Sequence, residues 1–369
     1  MIILTINTGS SSVRLSAFSR RSDDLTALAG ERHALDGSDP ESLLREFMQA
    51  HGLSSVDAVA HRVVHGGTRF TSACLLDHEA ELEIGRLAPL APLHNPSALR
   101  WIRAAREVLG ENMAQVAVFD TAFFVALPEI ARTYAIPHAL AKKYGLRRYG
   151  FHGLAHQAMW RRWCELRPDI PGGGRVITLQ LGSGCSIAAI EQGMPRDTSM
   201  GFSPLEGLMM ATRPGDIDAG LIAFLQRQEG LTPEQTGHLL NEQSGLLGVS
   251  GISADMRLLL ESDEALARLA VEMYCYRARK YLGAYLAVLG GADAIVFGGG
   301  VGENAAAVRK KILAGMEWCG IELDLEKNRT ANGIEACISN LTSRVAVWVV
   351  PGNEAAVLAQ EAVAAIATK

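Results

Sequence analysis

Short apolar blocks recur along this chain, and most of them end in glycine, serine, asparagine or a charged residue. Residues 2–6 (Ile-Ile-Leu-Thr-Ile) are β-branched and aliphatic and predict a strand. Asn7 to Ser12 is a turn of small residues, and Val13 to Phe18 predicts the returning strand. The unit is a hairpin, so it is not the strand-to-helix turn of a phosphate loop; the pattern Gly-x-x-x-x-Gly-Lys-Ser/Thr occurs nowhere. The same design returns later. Val176 to Leu181 predicts a strand, Gly182-Ser183-Gly184-Cys185 a turn, and Ser186 to Ile190 a second strand. Thr5 then aligns with Thr178, Gly9 with Gly182 and Ser10 with Ser183, which hints at an internal duplication.

Between the hairpins, Asn95 reads as the cap of a helix with Pro96 at its first position and Gly110 at its end. Ala117–Phe119 predicts a short buried strand that delivers Asp120 at its C-terminal end. Farther on, Ser262 reads as the cap of a long helix that runs to about Leu289, where Gly290 and Gly291 stop it. Ala294–Phe297 and Val345–Val350 predict strands. Gly298 to Asn304 turns the chain from the first of these into another helix, and Pro351-Gly352-Asn353 leads from the second into a terminal helix opened by Glu354. Residues 20–40 read as the least structured stretch. Strands alternating with helices predict an α/β architecture.

Length and charge narrow the picture. At roughly 150 residues per domain, 369 residues predict two domains of unequal size. A net charge of −5 argues against a nucleic-acid surface, so an anionic small molecule would be held by local groups and not by bulk attraction. None of the six cysteines forms a Cys-x-x-Cys pair, which disfavours a disulfide framework or zinc site and favours a reduced, cytoplasmic setting. The N-terminus lacks a signal peptide's basic segment and cleavage site, and no apolar run reaches the roughly 18–20 residues of a membrane helix. A soluble, unprocessed chain with no membrane partner is expected.

Candidate chemistry gathers after the strands. The turns at 9–12, 182–186 and 298–300 let backbone N–H groups approach a polyanion without interference from a Cβ. Any one of them could merely connect strands; three in a two-part chain suggest phosphates held between two domains. Near them lie His61-Arg62, His65-Gly66-Gly67, Leu93-His94, Asp120, Phe151-His152 and Arg213. Arginines, a histidine and a carboxylate are the parts phosphoryl transfer needs, because the migrating group spreads negative charge over three oxygens. Taken singly, Arg62 could be a surface ion pair and Asp120 a cap. His152 and His156 have the spacing of half a zinc site, but no third ligand of suitable spacing follows.

Together these strings resemble the acetate kinase family of carboxylate kinases. One signature is Asn7-x-Gly9-Ser10-Ser11-Ser12-x-Arg14; the other runs from Thr198 through Pro204 to Thr212-Arg213. Agreement continues at Asp255-Met256-Arg257, at Gly299-Gly300-Val301-Gly302-Glu303-Asn304 and at Asn353-Glu354. The resemblance spans nearly the whole chain, which is shorter than typical members around residues 20–55. It implies two actin-like (ribonuclease H-like) α/β domains with an active-site cleft between them. Residues 1–121 plus about 356–369 would form the N-terminal domain, and 122–355 the C-terminal domain carrying nucleotide and dimer surfaces. A homodimer is implied.

By the same resemblance, Arg62 and Arg213 orient acetate and the transferring phosphoryl, His152 stabilises the transition state, Asp120 assists acetate or its metal, and His94 lies by the phosphate path. Arg62, Val64, Leu93, Phe151 and Pro204 would hold the acetate. Asn7, Ser10, Ser12, Arg14, Gln180, Gly182, Ser183 and Gly184 would meet phosphates. Asp255, Met256, Arg257, Gly299, Gly300, Val301, Gly302 and Asn304 would border ATP or ADP. Asn7 and Glu354 would hold Mg²⁺. The chain departs from the family pattern at Gln180 (usually histidine), Ser183 (usually asparagine) and Phe124 (usually histidine). The implied reaction is reversible transfer from ATP to acetate. The alternatives are a propionate-preferring or pyrophosphate-linked kinase, and a catalytically weak nucleotide-binding regulator.

Overall fold

The structure is a computed structural model and describes every residue except 10, 11, 23, 36, 93, 368 and 369. The chain divides into two compact units: Met1–Val125 with Phe151–Ala158 and Asn353–Lys369, and Ala126–Gly150 with Met159–Gly352. Phe151–Ala158, which the sequence reading placed in the second half, groups with the first unit.

The first unit holds a six-stranded sheet made of β1 (Ile2–Thr8), β2 (Ser12–Arg21), β3 (Asp24–Ala34), β4 (Ala58–Val63), β5 (Cys74–Leu75) and β6 (Ala114–Phe119), in the order β3-β2-β1-β4-β6-β5. β1, β2 and β3 are antiparallel neighbours, whereas β1, β4 and β6 run parallel. Alternation along the strands sends side chains to opposite faces. Leu4, Ile6 and Val59 pack with Phe47 and Trp101 of the helices Pro40–Ala50 and Asn95–Leu109. Ile3, Ala60, Val116 and Val118 pack on the other face against Leu358 and Ala362 of the helix Glu354–Ala367, with Leu154 and Ala158.

The second unit repeats the design with β7 (Arg175–Leu181), β8 (Cys185–Glu191), β9 (Met194–Thr198), β10 (Ala294–Gly298), β11 (Ala336–Cys337) and β12 (Ala346–Val349). Read from its β9 edge, the order is β9-β8-β7-β10-β12-β11. The strand senses match the first sheet position for position: an antiparallel meander, two parallel additions and an antiparallel edge. Met159, Trp163, Val176, Val296 and Val350 form a core on one face of this sheet. Among the described residues, no helix is long and apolar enough to cross a membrane.

Four local expectations are corrected. Residues 20–40 contain the eleven-residue strand β3; it escapes pattern reading because it is an edge strand whose leucines and alanines are all exposed or half-exposed, so no buried stripe marks it. Asn95 is not a cap but the first residue of its helix, fully buried, and His94 holds the cap position without making a side-chain capping bond to the helix. The Asn95 amide instead grips the backbone of His65, accepting from its N–H (3.1 Å) and donating to its carbonyl (3.0 Å). Ser262 follows the helix Met256–Glu261, and the long helix begins at Ala265 after Glu264. Gly299–Asn304 is itself a short helix, not a turn leading to one.

Candidate active site

Period-two alternation assembles the first cluster. Asn7 near the end of β1, Arg62 in β4 and Asp120 just after β6 follow Ile3, Ala60, Val116 and Val118 onto the face covered by the terminal helix, whose first residue is Glu354. Arg62 is gripped by Asp120 through two parallel bonds, Nε to Oδ1 at 3.1 Å and Nη2 to Oδ2 at 2.6 Å. Its Nη1 donates to Asn7 Oδ1 (3.1 Å) and reaches Thr8 O (3.5 Å). Asn7 Nδ2 donates in turn to Glu354 Oε2 at 2.7 Å. Of the five guanidinium N–H groups, four are thereby assigned.

Two carboxylates share the Arg62 guanidinium in this part-buried cluster, and Arg14 and His152 also act on Glu354. Burial pushes the Asp120 carboxyl up against the pull of Arg62. Burial also opposes charge on Glu354, but Arg62 and Asn7 overcome it and hold that carboxyl below the usual carboxylate range. Burial works against the Arg62 cation as well, yet Asp120 and Glu354 raise it further above its ordinary value. Arg62 therefore stays charged at any working pH.

His152 stands at φ +57°, the left-handed region that costs a non-glycine residue of order 1–3 kcal/mol. Its backbone N–H donates to the Asp120 carboxylate, and its ring acts electrostatically on Glu354. The next residue must be glycine: a Cβ on Gly153 would overlap the Asp120 carbonyl. The strained backbone at 152 thus seats the start of the helix Gly153–Leu166 on Asp120. Val64 and Phe151 are buried, and the Phe151 ring meets His65 edge-on with centroids 5.5 Å apart. Arg14 pairs with Asn7 across the hairpin and acts on Glu354. Ser12 Oγ accepts from Arg32 Nε at 3.0 Å. Ser10 and Leu93 lie outside the described residues.

In the second unit Arg213 contrasts with Arg62. It is half-buried, burial lowers the pKa of its side chain, and that side chain has no hydrogen bond or ion pair among the described residues. Its backbone is well held: Arg213 O accepts from Met210 N at 3.0 Å, and Ala211 N–H donates to Ser183 O at 3.0 Å. Pro204 lies in the same loop, half-buried. Gln180, half-buried, stands next to the last residue of β7, and the turn after it closes through Gly182 N–H to Gly184 O (3.1 Å). Asp255 caps the helix Met256–Glu261 and pairs with Arg257 at 2.6 Å on the surface, while Met256 is buried.

The segment Gly299–Asn304 is organised by Asn304, by Glu303, which the sequence reading quoted without a role, and by Arg309, which it did not single out. Glu303 Oε1 accepts from Gly299 N (3.0 Å) and Gly352 N (2.9 Å). Asn304 Nδ2 donates to Gly300 O at 2.9 Å. Arg309, fully buried, donates to the carbonyls of Gly302, Glu303, Asn328 and Ala331. Its only sequence signal is an arginine beside Val308 on the buried face of a helix. With no carboxylate among its hydrogen-bond partners, burial lowers it to about 10.

A family model described as the acetokinase family matches residues 33–360. Acetate kinase of Solibacter usitatus is 47% identical over 322 residues, covering 86% of this chain and 78% of that protein. The crystal structure of Porphyromonas gingivalis acetate kinase matches with a TM-score of 0.89 at 37% identity over 99% of each chain. That of a propionate kinase from Francisella tularensis matches at 0.88 and 34% identity over 98% of each.

Proposed function

The chain belongs to the acetokinase family and is a phosphotransferase with a carboxyl group as acceptor; from that premise we propose that it transfers the γ-phosphoryl group of ATP reversibly to acetate. Its two six-stranded units are the two actin-like α/β domains of that family. In the forward direction an acetate oxygen attacks the γ-phosphorus, the bond to the β–γ bridging oxygen breaks, and acetyl phosphate and ADP result.

The observation that carries the reading is the difference in how the two arginines are engaged. Arg62 is oriented by Asp120 and keeps one N–H for a substrate oxygen. Arg213 has no anion of its own, so a phosphoryl group supplies the charge its desolvated guanidinium lacks. His152 is held beside this machinery by the strained backbone at its own position, and His94 serves the phosphate path. Val64 and Phe151 supply apolar surface for the acetate methyl, with Leu93 and Pro204. Gln180, Gly182, Ser183 and Gly184 hold the donor phosphates, as do Asn7, Ser10, Ser12 and Arg14. Asp255, Met256, Arg257 and the 299–304 segment border the adenosine.

The residues fit a magnesium ion. Glu354 is an ionised oxygen donor whose Oε1 has no partner among the described residues, within electrostatic reach of a second carboxylate, Asp120. Asn7 stands beside it, although its own oxygen accepts from Arg62. When bound, Mg²⁺ would neutralise charge on the phosphate oxygens.

The exposed stripe Leu266, Leu269, Met273 and Tyr276 on the helix Ala265–Leu289 has the 3-4-3 spacing of a self-packing seam and supports a homodimer. All six cysteines are free thiols, in keeping with a cytoplasmic setting.

Acyl hydroxamate formed from ATP, acetate and hydroxylamine tests the reaction directly. Arg213→Ala is expected to lose about 10²–10³ in turnover while its melting temperature stays near that of the parent. Near-normal turnover in that variant sinks the assignment of Arg213. Rates with propionate in place of acetate decide the acceptor, which one methylene separates only about 10–200-fold.

A further inference from the structure

We propose that Asp216 is the positioning residue for Arg213, closing the loop that presents its guanidinium; the inference rests on the role given to Arg213 above. A guanidinium with no carboxylate to orient it can be aimed only through its backbone. The loop around Arg213 is built for that. Asp216 N–H donates to Gly207 O at 3.0 Å, and Gly207 N–H donates to Asp216 Oδ1 at 2.8 Å. These two bonds close residues 207–216 into a ring. Gly207 (φ +104°) and Gly215 (φ +71°) meet at the closure, where a Cβ on Gly215 would lie 2.5 Å from Leu208 O.

The second oxygen of Asp216 keys the ring to a long element. It accepts from Tyr281 Oη at 2.8 Å and faces Arg277 Nη1 at 3.5 Å. Arg277 Nη1 also donates to the carbonyls of Gly207 (3.3 Å) and Asp216 (3.1 Å). Arg277 and Tyr281 stand one turn apart on the helix Ala265–Leu289. Burial first and Asp216 second keep the Tyr281 hydroxyl protonated, as a donor must be.

Elsewhere the ring is pinned by the N–H groups of Ser244, Leu246 and Leu247, which donate to the carbonyls of Thr212, Met210 and Ala211. Just before the ring, Glu206 is held by Arg148 at 2.6 Å and by Tyr134. Asp216 is the side chain within the ring that both closes it and fixes it to the helix, and Arg277 bridges the same two ends from the helix side.

A double-mutant cycle in steady-state turnover with ATP and acetate tests the idea. Asp216→Ala is expected to lower kcat about ten- to hundred-fold, the scale of an ångström misplacement of a catalytic group, with the KM for ATP within about twofold of the parent. In an Arg213→Ala background the same substitution should cost less than about threefold, because the group it positions is gone. Asp216→Asn, which keeps an acceptor for the Gly207 N–H, should recover turnover to within about threefold of the parent.

Equal losses in both backgrounds, or unchanged turnover in Asp216→Ala, overturn the proposal. If Asp216→Ala does not fold, Tyr281→Phe removes a single bond to Asp216. It should cost about two- to fivefold in the parent and nothing in Arg213→Ala; equal costs again overturn it. Normal turnover of Arg213→Ala alone refutes the catalytic reading, and the positioning role with it.

Discussion

The two sheets share strand order and strand sense, yet matching positions at their strand ends carry opposite kinds of chemistry. Thr5 pairs with Ala60, and Thr178 with Val296; Ala60 pairs with Val116, and Val296 with Trp348. Counting from those partners, Arg62 matches Gly298 and Asp120 matches Gly352. The first sheet thus ends in a guanidinium and a carboxylate where the second ends in bare backbone. There Glu303 satisfies the N–H groups of Gly299 and Gly352. One frame can therefore hold charge with side chains in one copy and leave room for a ligand's phosphates in the other. Truncating a side chain should hurt the first unit most, and adding a Cβ should hurt the second.

The largest effect is expected at Arg62. Arg62→Ala should lose about 10²–10³ in turnover. It should also lose about 3–5 kcal/mol of stability, because Asp120 and Glu354 are left buried without their cation. The variant that removes Arg62 and Asp120 together should regain most of that stability and none of the turnover. Thermal melts and initial rates on the three proteins separate the two effects. A double variant as unstable as Arg62→Ala would show that the cluster is not an electrostatic unit.

The duplicated hairpins and the strand before Asp120 were legible because each is an apolar block closed by small residues, whereas the glycine-rich stretch after β10 reads as a turn and folds as a short helix. The site residues were legible as a set only through the family resemblance; individually Arg62 and Asp120 look like a surface pair and a cap. Other features depend on partners distant in sequence. Asn95 sits where a cap belongs, but burial against His65 outweighs the local preference. β3 carries leucines and alanines but buries none of them fully, so its ladder with β2 defines it and not a core-facing stripe. The closure of the Arg213 loop by Asp216 joins residues 65 positions away on a helix, which no local pattern announces.

In the second unit the sharpest test is Gly299→Ala. Gly299 has φ +76°, and its Cβ would stand 2.6 Å from Leu181 O. The methyl must displace the first turn of Gly299–Asn304, at a cost of about 1–3 kcal/mol in local backbone strain. The KM for ATP should rise about tenfold or more, while the KM for acetate stays within about twofold. A rise in both would mean that the segment does not serve the nucleotide alone.

The smallest effect tests the comparison away from the site. One residue before Arg62, on the opposite face, His61 matches Phe297, and its partner Gln115 matches Val347 by the same registers. His61 Nε2 donates to Gln115 Oε1 at 2.7 Å, and its Nδ1 is buried with no partner among the described residues. Burial pushes this histidine down to about 4 from the ordinary 6.5. The unfolded chain therefore binds the proton at a higher pH than the folded one. Stability from this site is complete above pH 6.5, falls as pH drops below it, and is fully lost once pH passes about 4. Between pH 7.5 and 5.5 the site should cost about 1.4 kcal/mol. Replacing both partners, His61→Phe with Gln115→Val, installs the second sheet's solution and should remove that acid dependence. His65, also held near 4 by burial, should keep its own. Urea midpoints at the two pH values, parent against double variant, measure the difference. An unchanged pH slope would place the acid sensitivity elsewhere and leave the match between His61 and Phe297 one of position alone.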